Sequence, residues 1–278
     1  MKILYTDLDG TMVGPYGNFF AAADRTPTLV PARALIELHR AGVALVLVSG
    51  RTRAQLQEAG LIFGADGFVA ELGALVSWDR GRSVRVLPGA MPASYGDRLP
   101  IEVMASLGLP EALFARWPGL EWHSPWHAGH EADAMLRGVV DVAAVEAWLA
   151  GEGLGWLRLR DNGVLPGPEG RHIYHLMPDG LSKGGAVGWD LERRGLSRDD
   201  AVAVGDSASD LGMAPYVGTM WVTANGAEAL HMPPLLAAAR AAGQDVRVTA
   251  DPLGEGWAEA VLTALGRPGA GAGPTALG

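Results

Sequence analysis

The chain contains no cysteine. Disulfide frameworks and thiolate metal sites are thereby excluded, and an intracellular setting is the simplest expectation. Long hydrophobic runs are missing as well: the most apolar stretch, Gly42 to Val48, is far too short to cross a bilayer. The opening Met-Lys-Ile-Leu-Tyr-Thr-Asp lacks the extended apolar segment of a secretory signal, so a cytoplasmic location is expected. Basic charge is scarce. A net charge of −9 and a pI near 5.2 argue against nucleic acid or an anionic membrane as partner. An acidic protein can still take an anionic substrate where a metal and a few local cations neutralise it.

What is present is a chain of 278 residues, 49% hydrophobic, enough for one large domain or two modest ones. Residues 2–6 alternate and are rich in β-formers, ending at Asp7. Pro31 opens an apparent helix, Ala32 to Arg40, which Gly42 stops. Val43 to Val48 is a continuous apolar run, the mark of a strand buried on both faces of a parallel sheet. A helix from about Thr52 and a strand at Phe68 to Ala70 follow. The same alternation returns later, with a helix from Lys183 to Arg194, a strand at Ala201 to Val204 and a helix beginning at Leu211. Strands at Met220 to Thr223 and Val246 to Thr249 and a helix at Trp257 to Leu265 complete it. This grammar predicts an α/β fold, a doubly wound, Rossmann-like parallel-sheet core over 1–81 and 178–266. Residues 82–177 are richer in Trp, His and Pro and read as an inserted α+β cap domain. The Gly- and Pro-rich tail, 267–278, is expected to be disordered.

Four features sit where parallel strands end, the place at which open α/β sheets bind ligands. Asp7-Leu8-Asp9-Gly10-Thr11 sets two carboxylates one residue apart, so that one can face a metal and a phosphoryl group while the other handles protons. A solvated Asp-Gly turn is the plain alternative. A calcium loop is excluded, because Phe19 and Phe20 close the stretch where its glutamate belongs. Ser49-Gly50-Arg51 opens a helix and provides a hydroxyl and backbone N–H groups for an oxyanion, or only an N-cap. Lys183 stands in a first helical turn, which is unfavourable for the dipole unless an anion faces it. Asp206 and Asp210, four residues apart after a buried strand, have the chemistry of hard-metal ligands, or of a helix cap.

In this order, the four motifs resemble the haloacid-dehalogenase superfamily: Asp-x-Asp-Gly-Thr, a serine, a lysine and a terminal Gly-Asp-x-x-x-Asp. The insertion between the second and third motifs resembles the type-two cap of its Cof-like, sucrose-phosphate and mannosyl-3-phosphoglycerate phosphatases. Ser182-Lys183-Gly184, Glu71-Leu72-Gly73-Ala74 and Asp251-Pro252-Leu253-Gly254 carry the likeness further. The chain departs from the pattern at Leu72 and Ser209, both commonly asparagine.

The resemblance implies a phosphomonoesterase with Asp7 as nucleophile and Asp9 as general acid and base. It implies Mg²⁺ held by Asp7, Asp9, Asp206 and Asp210, and phosphoryl contacts from Thr11, Ser49, Gly50, Arg51, Lys183 and Ser209. The implied partner is a small phosphorylated metabolite, above all a sugar phosphate, with the protein a monomer or small homo-oligomer. A phosphosugar mutase and a metabolite-binding regulator with weakened chemistry are the alternatives. In the cap, Trp122 to His130 is the candidate specificity loop. Its His123, His127 and His130 leave three readings open: a second metal, sugar or phosphate contacts, or loop structure alone. Arg158, Arg160, Arg171 and His172 are candidates for a second anionic group.

Overall fold

The computed structural model describes residues 1–165 and 167–267. It forms two compact units, one comprising Met1–Gly50, Leu56–Val84 and the chain from Ser182 on, the other Arg51–Gln55 and Arg85–Leu181. In chain order the elements before the insertion are β1 (Ile3–Thr6), α1 (Val30–Arg40), β2 (Ala44–Val48), α2 (Arg53–Phe63), β3 (Gly67–Ala70), β4 (Leu75–Trp78) and β5 (Ser83–Val86). The insertion holds α3 (Pro100–Ser106), α4 (Leu109–Arg116), β6 (Glu121–Trp122), β7 (Ala134–Gly138), α5 (Val142–Gly151), β8 (Leu157–Val164) and β9 (His172–Pro178). The chain returns through α6 (Lys183–Arg194), β10 (Ala201–Gly205), α7 (Ala208–Leu211) and β11 (Thr219–Val222). It ends with α8 (Ala224–Ala227), α9 (Met232–Ala241), β12 (Val246–Val248) and α10 (Leu253–Ala264).

The core sheet has eight strands in the order β12-β11-β10-β1-β2-β3-β4-β5. Strands from β12 to β3 pair in parallel, and β4 turns back antiparallel to β3. Central strands are near-continuous apolar runs because helices cover both of their faces: every residue of β1 and β10 is buried. The chain moves outward from β1 through β2 and β3, then restarts at β10 on the other side. The switch point therefore lies between β1 and β10, where Thr6 stands opposite Val204. Asp7, Ser49 and Asp206 leave their strands at this same edge. Asp7 is anchored there by its N–H, which donates to the Val204 carbonyl at 3.0 Å.

Two local features differ from the pattern read in the sequence. The helix expected from Leu211 begins instead at Ala208, because a reciprocal cap starts it: the Ser207 hydroxyl accepts from the Asp210 N–H, and the Asp210 carboxylate accepts from Ser207. Apolar spacing marks the buried face of a helix, not its first turn. The β4–β5 hairpin was not legible at all. Its turn, Asp79-Arg80-Gly81, is left-handed throughout, and β5 is a half-exposed edge strand without clean alternation. This strand carries the core sheet past residue 81, to Val86.

The second unit is an antiparallel sheet, β6-β7-β9-β8, with helices on one face. Alternate residues Leu136, Tyr174, Leu176, Leu157 and Leu159 turn inward and join Val145 and Leu149 of α5 and Val103 and Leu113 of α3 and α4 in one apolar cluster. The tryptophans serve this packing. Trp117 meets Trp148 edge-on at 5.6 Å, and Trp122 packs on Phe114 at 5.7 Å and stacks on His127 at 5.0 Å. The tail, from residue 268, lies outside the described residues.

Candidate active site

The site is built on the C-terminal edge of β1, β2 and β10. Lys183 opens α6 and is buried, at 4% exposure, so its charge must be met by protein groups. Its ammonium donates to Asp7 Oδ1 at 2.9 Å and to Asp210 Oδ1 at 2.6 Å. Ser182 caps the helix by accepting from the Gly185 N–H at 3.0 Å. Two carboxylates thus offset the unfavourable placement of a cation in a first helical turn. The hairpin 71–73 fixes this start. The Leu72 N–H donates to the Ser49 carbonyl at 3.2 Å, and a Cβ on Gly73 would lie 2.1 Å from the Ser182 carbonyl oxygen. Position 72 therefore acts through its backbone and a buried apolar side chain.

Asp210 has both oxygens engaged. Beyond Lys183, it accepts from the N–H groups of Asp206 and Ser207 at 3.2 and 3.0 Å and from the Ser207 hydroxyl at 2.6 Å. Asp206 accepts from the Thr11 hydroxyl at 3.1 Å. Thr11, expected on the phosphoryl group, instead spends its buried hydroxyl on this carboxylate. Gly10, at φ +87°, makes the approach possible, since a Cβ there would fall 2.3 Å from Asp206 Oδ2. Asp9 is exposed on the same turn, which an Asp9–Val13 bridge closes. The Ser209 hydroxyl pairs with that of Ser207 at 2.8 Å. Ser49 is buried at the end of β2, Gly50 closes the core segment, and Arg51 falls in the second compact unit.

One residue of the site escaped the sequence reading. Asn225 donates to the Gly10 carbonyl at 2.9 Å and reaches Asp206 Oδ2 at 3.5 Å, while its Oδ1 accepts from the Leu253 N–H at 2.8 Å. It ties the first motif, the fourth motif and the last loop together. Its only sequence signal was its place just after a buried strand, at the edge where the other motifs gather.

Asp7, Asp206 and Asp210 bring carboxylate oxygens within 4.8 Å of one another. Burial and the neighbouring charges of Asp210 and Asp206 push the Asp7 carboxyl well above the usual range, against the pull of Lys183. Burial, then the Asp210 charge, raises Asp206 to about 6. Burial works against the Lys183 ammonium, but Asp210 and Asp7 outweigh it and hold its pKa above the usual lysine value. Three carboxylates share one ammonium, a surplus of negative charge that a divalent cation would neutralise. All-oxygen donors suit a hard ion of the Mg²⁺ type. The donor set fits.

In the cap, the three loop histidines go separate ways. His130 pairs through Nδ1 with Asp133, and His127 stacks on Trp122. His123 is buried with Nδ1 unpartnered among the described residues. Among the described residues, no metal-sized group contains two of these three imidazoles. Arg158 pairs with Asp179 at 3.1 Å, Arg171 with Glu121 at 2.8 Å and His172 with Asp161 at 2.6 Å.

No family model matches the chain. A phosphoglycolate phosphatase of Methanopyrus kandleri is 26% identical over 229 residues, covering 82% of this chain and 86% of the relative. A haloacid dehalogenase-like hydrolase from Bacteroides thetaiotaomicron shares the fold with a TM-score of 0.62 at 18% identity, covering 95% and 99% of the two chains. The sucrose-phosphatase of Synechocystis, solved with sucrose and phosphate, does so with a TM-score of 0.61 at 15% identity, covering 95% and 96%. With its motifs in order along one sheet edge, the chain shares its fold with a haloacid dehalogenase-like hydrolase and is similar over most of its length to a named phosphatase.

Proposed function

We propose that the protein hydrolyses a small phosphomonoester through a covalent aspartyl-phosphate on Asp7. The observation that carries this reading is the buried Lys183 bridging Asp7 and Asp210, with Asp206 alongside, at the switch point of the sheet. Asp7 Oδ attacks phosphorus in line, the bond to the leaving oxygen breaks, and Asp9 delivers the proton that oxygen needs. Asp9 then takes a proton from water, which attacks phosphorus and releases inorganic phosphate and the Asp7 carboxylate. Lys183 and the Ser49 hydroxyl, with the Gly50 N–H, stabilise the phosphoryl oxygens as charge builds. Asp210 and Asn225 act by positioning Lys183, Asp206 and the Gly10 turn. Asp7 and Asp206, with the Asp9 backbone carbonyl, would hold Mg²⁺, which would supply the charge neutralisation a carboxylate needs to approach a phosphate dianion.

The relatives bracket the substrate class: one acts on phosphoglycolate, another was solved with sucrose and phosphate. A small phosphorylated acid or sugar is the range to screen, and a cytoplasmic role in small-molecule metabolism accords with it. The test is p-nitrophenyl phosphate hydrolysis with and without EDTA, run beside Asp7→Asn. Metal-dependent release by the wild type, lost in the variant, is the expected outcome. Equal rates in the two proteins would refute the mechanism.

A further inference from the structure

The far end of α6 holds a buried charge that the chemistry above does not use. Asp190 is 0% exposed, and both of its oxygens are engaged. Oδ1 accepts from Arg193 Nε and Nη2 at 3.2 and 2.8 Å, and Oδ2 from Arg194 Nε at 2.7 Å. These bonds stay within the end of the helix, where two cations also suit its dipole. One further bond leaves it: the Tyr5 hydroxyl of β1 donates to Asp190 Oδ2 at 2.9 Å. Tyr5 is itself fully buried, and burial, with the Asp190 charge beside it, pushes its hydroxyl far above the usual tyrosine value, so it stays a donor. Arg193 lies over the ring of Trp78 on β4 at 4.6 Å, which carries the network to a second strand.

The spacing of these residues matches that of the active site. Tyr5 and Asp7, two positions apart, emerge on one side of the strand, while Lys183 and Asp190, seven apart, share one face of α6. Two rungs therefore join the same strand to the same helix: Tyr5 to Asp190, and Asp7 to Lys183. Along the helix axis the rungs are about 10 Å apart. The other buried residues of α6 are Gly184, Ala186, Val187 and Leu191, whose apolar contacts have no direction. They set how closely the helix lies on the sheet and leave its slide and rotation to directed bonds. A buried ion network contributes little more stability than apolar packing of the same volume, and fixing register is its best-attested use.

We infer that Tyr5 and Asp190 are positioning residues for phosphoryl transfer: their hydrogen bond sets the register of α6 on β1, and with it the place of the Lys183 ammonium between Asp7 and Asp210. Salt bridges confined to the helix end would need neither the burial of Asp190 nor a hydroxyl from another element. Lys183 meets Asp7 and Asp210 at 2.9 and 2.6 Å, so a slide of about 1 Å is enough to break one of the two bonds. The role in turnover rests on the phosphatase reading, whereas the register does not, and the two are tested separately.

Lys2 and Lys183 are the chain's two lysines, which gives a readout independent of turnover. Lys2 is exposed and serves as internal reference for the buried Lys183. The protein in EDTA is treated with acetic anhydride, and mass spectrometry follows acylation of each lysine in the wild type, Tyr5→Phe, Asp190→Asn and Leu38→Ala. The last is a control that opens a cavity at a fully buried position of α1. In Tyr5→Phe the ratio of Lys183 to Lys2 acylation should rise by about 10-fold, the scale of losing a hydrogen bond to a charged group. Its kcat for p-nitrophenyl phosphate with Mg²⁺ should fall by about 10-fold, as expected for a misplaced catalytic charge. Asp190→Asn, which keeps an acceptor for Tyr5 but loses the charge, should move both quantities in the same direction. Leu38→Ala should weaken the fold and move neither. An acylation ratio or a kcat within about two-fold of wild type in Tyr5→Phe would overturn the inference. So would an equal rise of the ratio in Leu38→Ala. A wild type that turns over no phosphomonoester with Mg²⁺ would refute the phosphatase reading instead, and the acylation ratio alone would then decide the register.

Discussion

Replacing Lys183 with Met keeps most of the side chain's apolar shape and removes its charge and both of its hydrogen bonds. The ammonium lies 2.9 Å from Asp7 and 2.6 Å from Asp210, with all three groups buried. Breaking a buried ion pair by deleting one partner costs about 3–5 kcal/mol, and here two carboxylates lose their shared partner. A loss of about 5 kcal/mol is therefore expected at pH 8 in EDTA. One carboxyl can relieve the repulsion by taking a proton, because Asp7 and Asp206 are already pushed upward by burial and by the Asp210 charge. A carboxyl raised above its unfolded pKa stabilises the fold below that unfolded value and loses the contribution as pH rises through the folded one. The variant's deficit should thus shrink towards pH 5, by up to about 1.4 kcal/mol for each unit by which loss of the lysine raises a folded carboxyl's pKa above its wild-type value. Lys183 itself does not titrate in this window, since its pKa is held above the usual lysine value. Denaturant unfolding of both proteins at pH 5 and pH 8 in EDTA measures the difference, and p-nitrophenyl phosphate turnover with Mg²⁺ reports the chemistry. Turnover should fall by about 10³-fold, in line with removal of a preorganised charge from a transition state. A variant within about 1 kcal/mol of wild type at pH 8, turning over at more than a tenth of its rate, would refute the placement of this lysine.

Gly10→Ala should cost about 1–3 kcal/mol by denaturant unfolding and most of the turnover, because the left-handed backbone and the Asp206 contact both resist a Cβ. Asn225→Ala should raise the Mg²⁺ concentration for half-maximal turnover by about 10-fold, with the fold retained by circular dichroism. An unchanged metal titration would remove Asn225 from the site. At the other end of the core, Asp200 accepts from the Ser197 N–H and pairs with Lys2 at 3.0 Å, which hold its pKa at about 2. A depressed carboxyl stabilises the fold above its unfolded pKa and loses that contribution as pH falls through the folded one. The gap in melting temperature between wild type and Asp200→Asn should therefore be open at pH 7 and close as pH falls towards about 2.

Much of the core was legible residue by residue. Val43 to Val48 and Ala201 to Val204 announced buried parallel strands because covered faces exclude polar side chains. Asp7, Lys183, Asp206 and Asp210 stood out because charged groups at such strand ends have few purely structural uses. Boundaries set by reciprocal side-chain caps, as at Ser207 and Asp210, were displaced from the apolar pattern. The β4–β5 hairpin left no periodic trace, since an edge strand with half-exposed residues obeys no alternation.

The order of the motifs along the chain, and the chemistry of each, were settled by sequence alone, because residue type dictates which atoms can hold a proton, a metal or an anion. Which groups meet was decided only by tertiary structure. Parallel pairing of β1 with β10 sets Asp7 beside Asp206, and nothing local in either segment specifies that register. Thr11 turned to Asp206, and Asn225 joined three loops, through contacts between residues 195 and 215 positions apart. In the cap, Asp133 and His175 found each other across 42 residues, and of Arg158 and Arg160 on one strand Arg158 alone makes an ion pair among the described residues. Identical side chains became different groups there, because burial and partners, not identity, set what an arginine is free to bind.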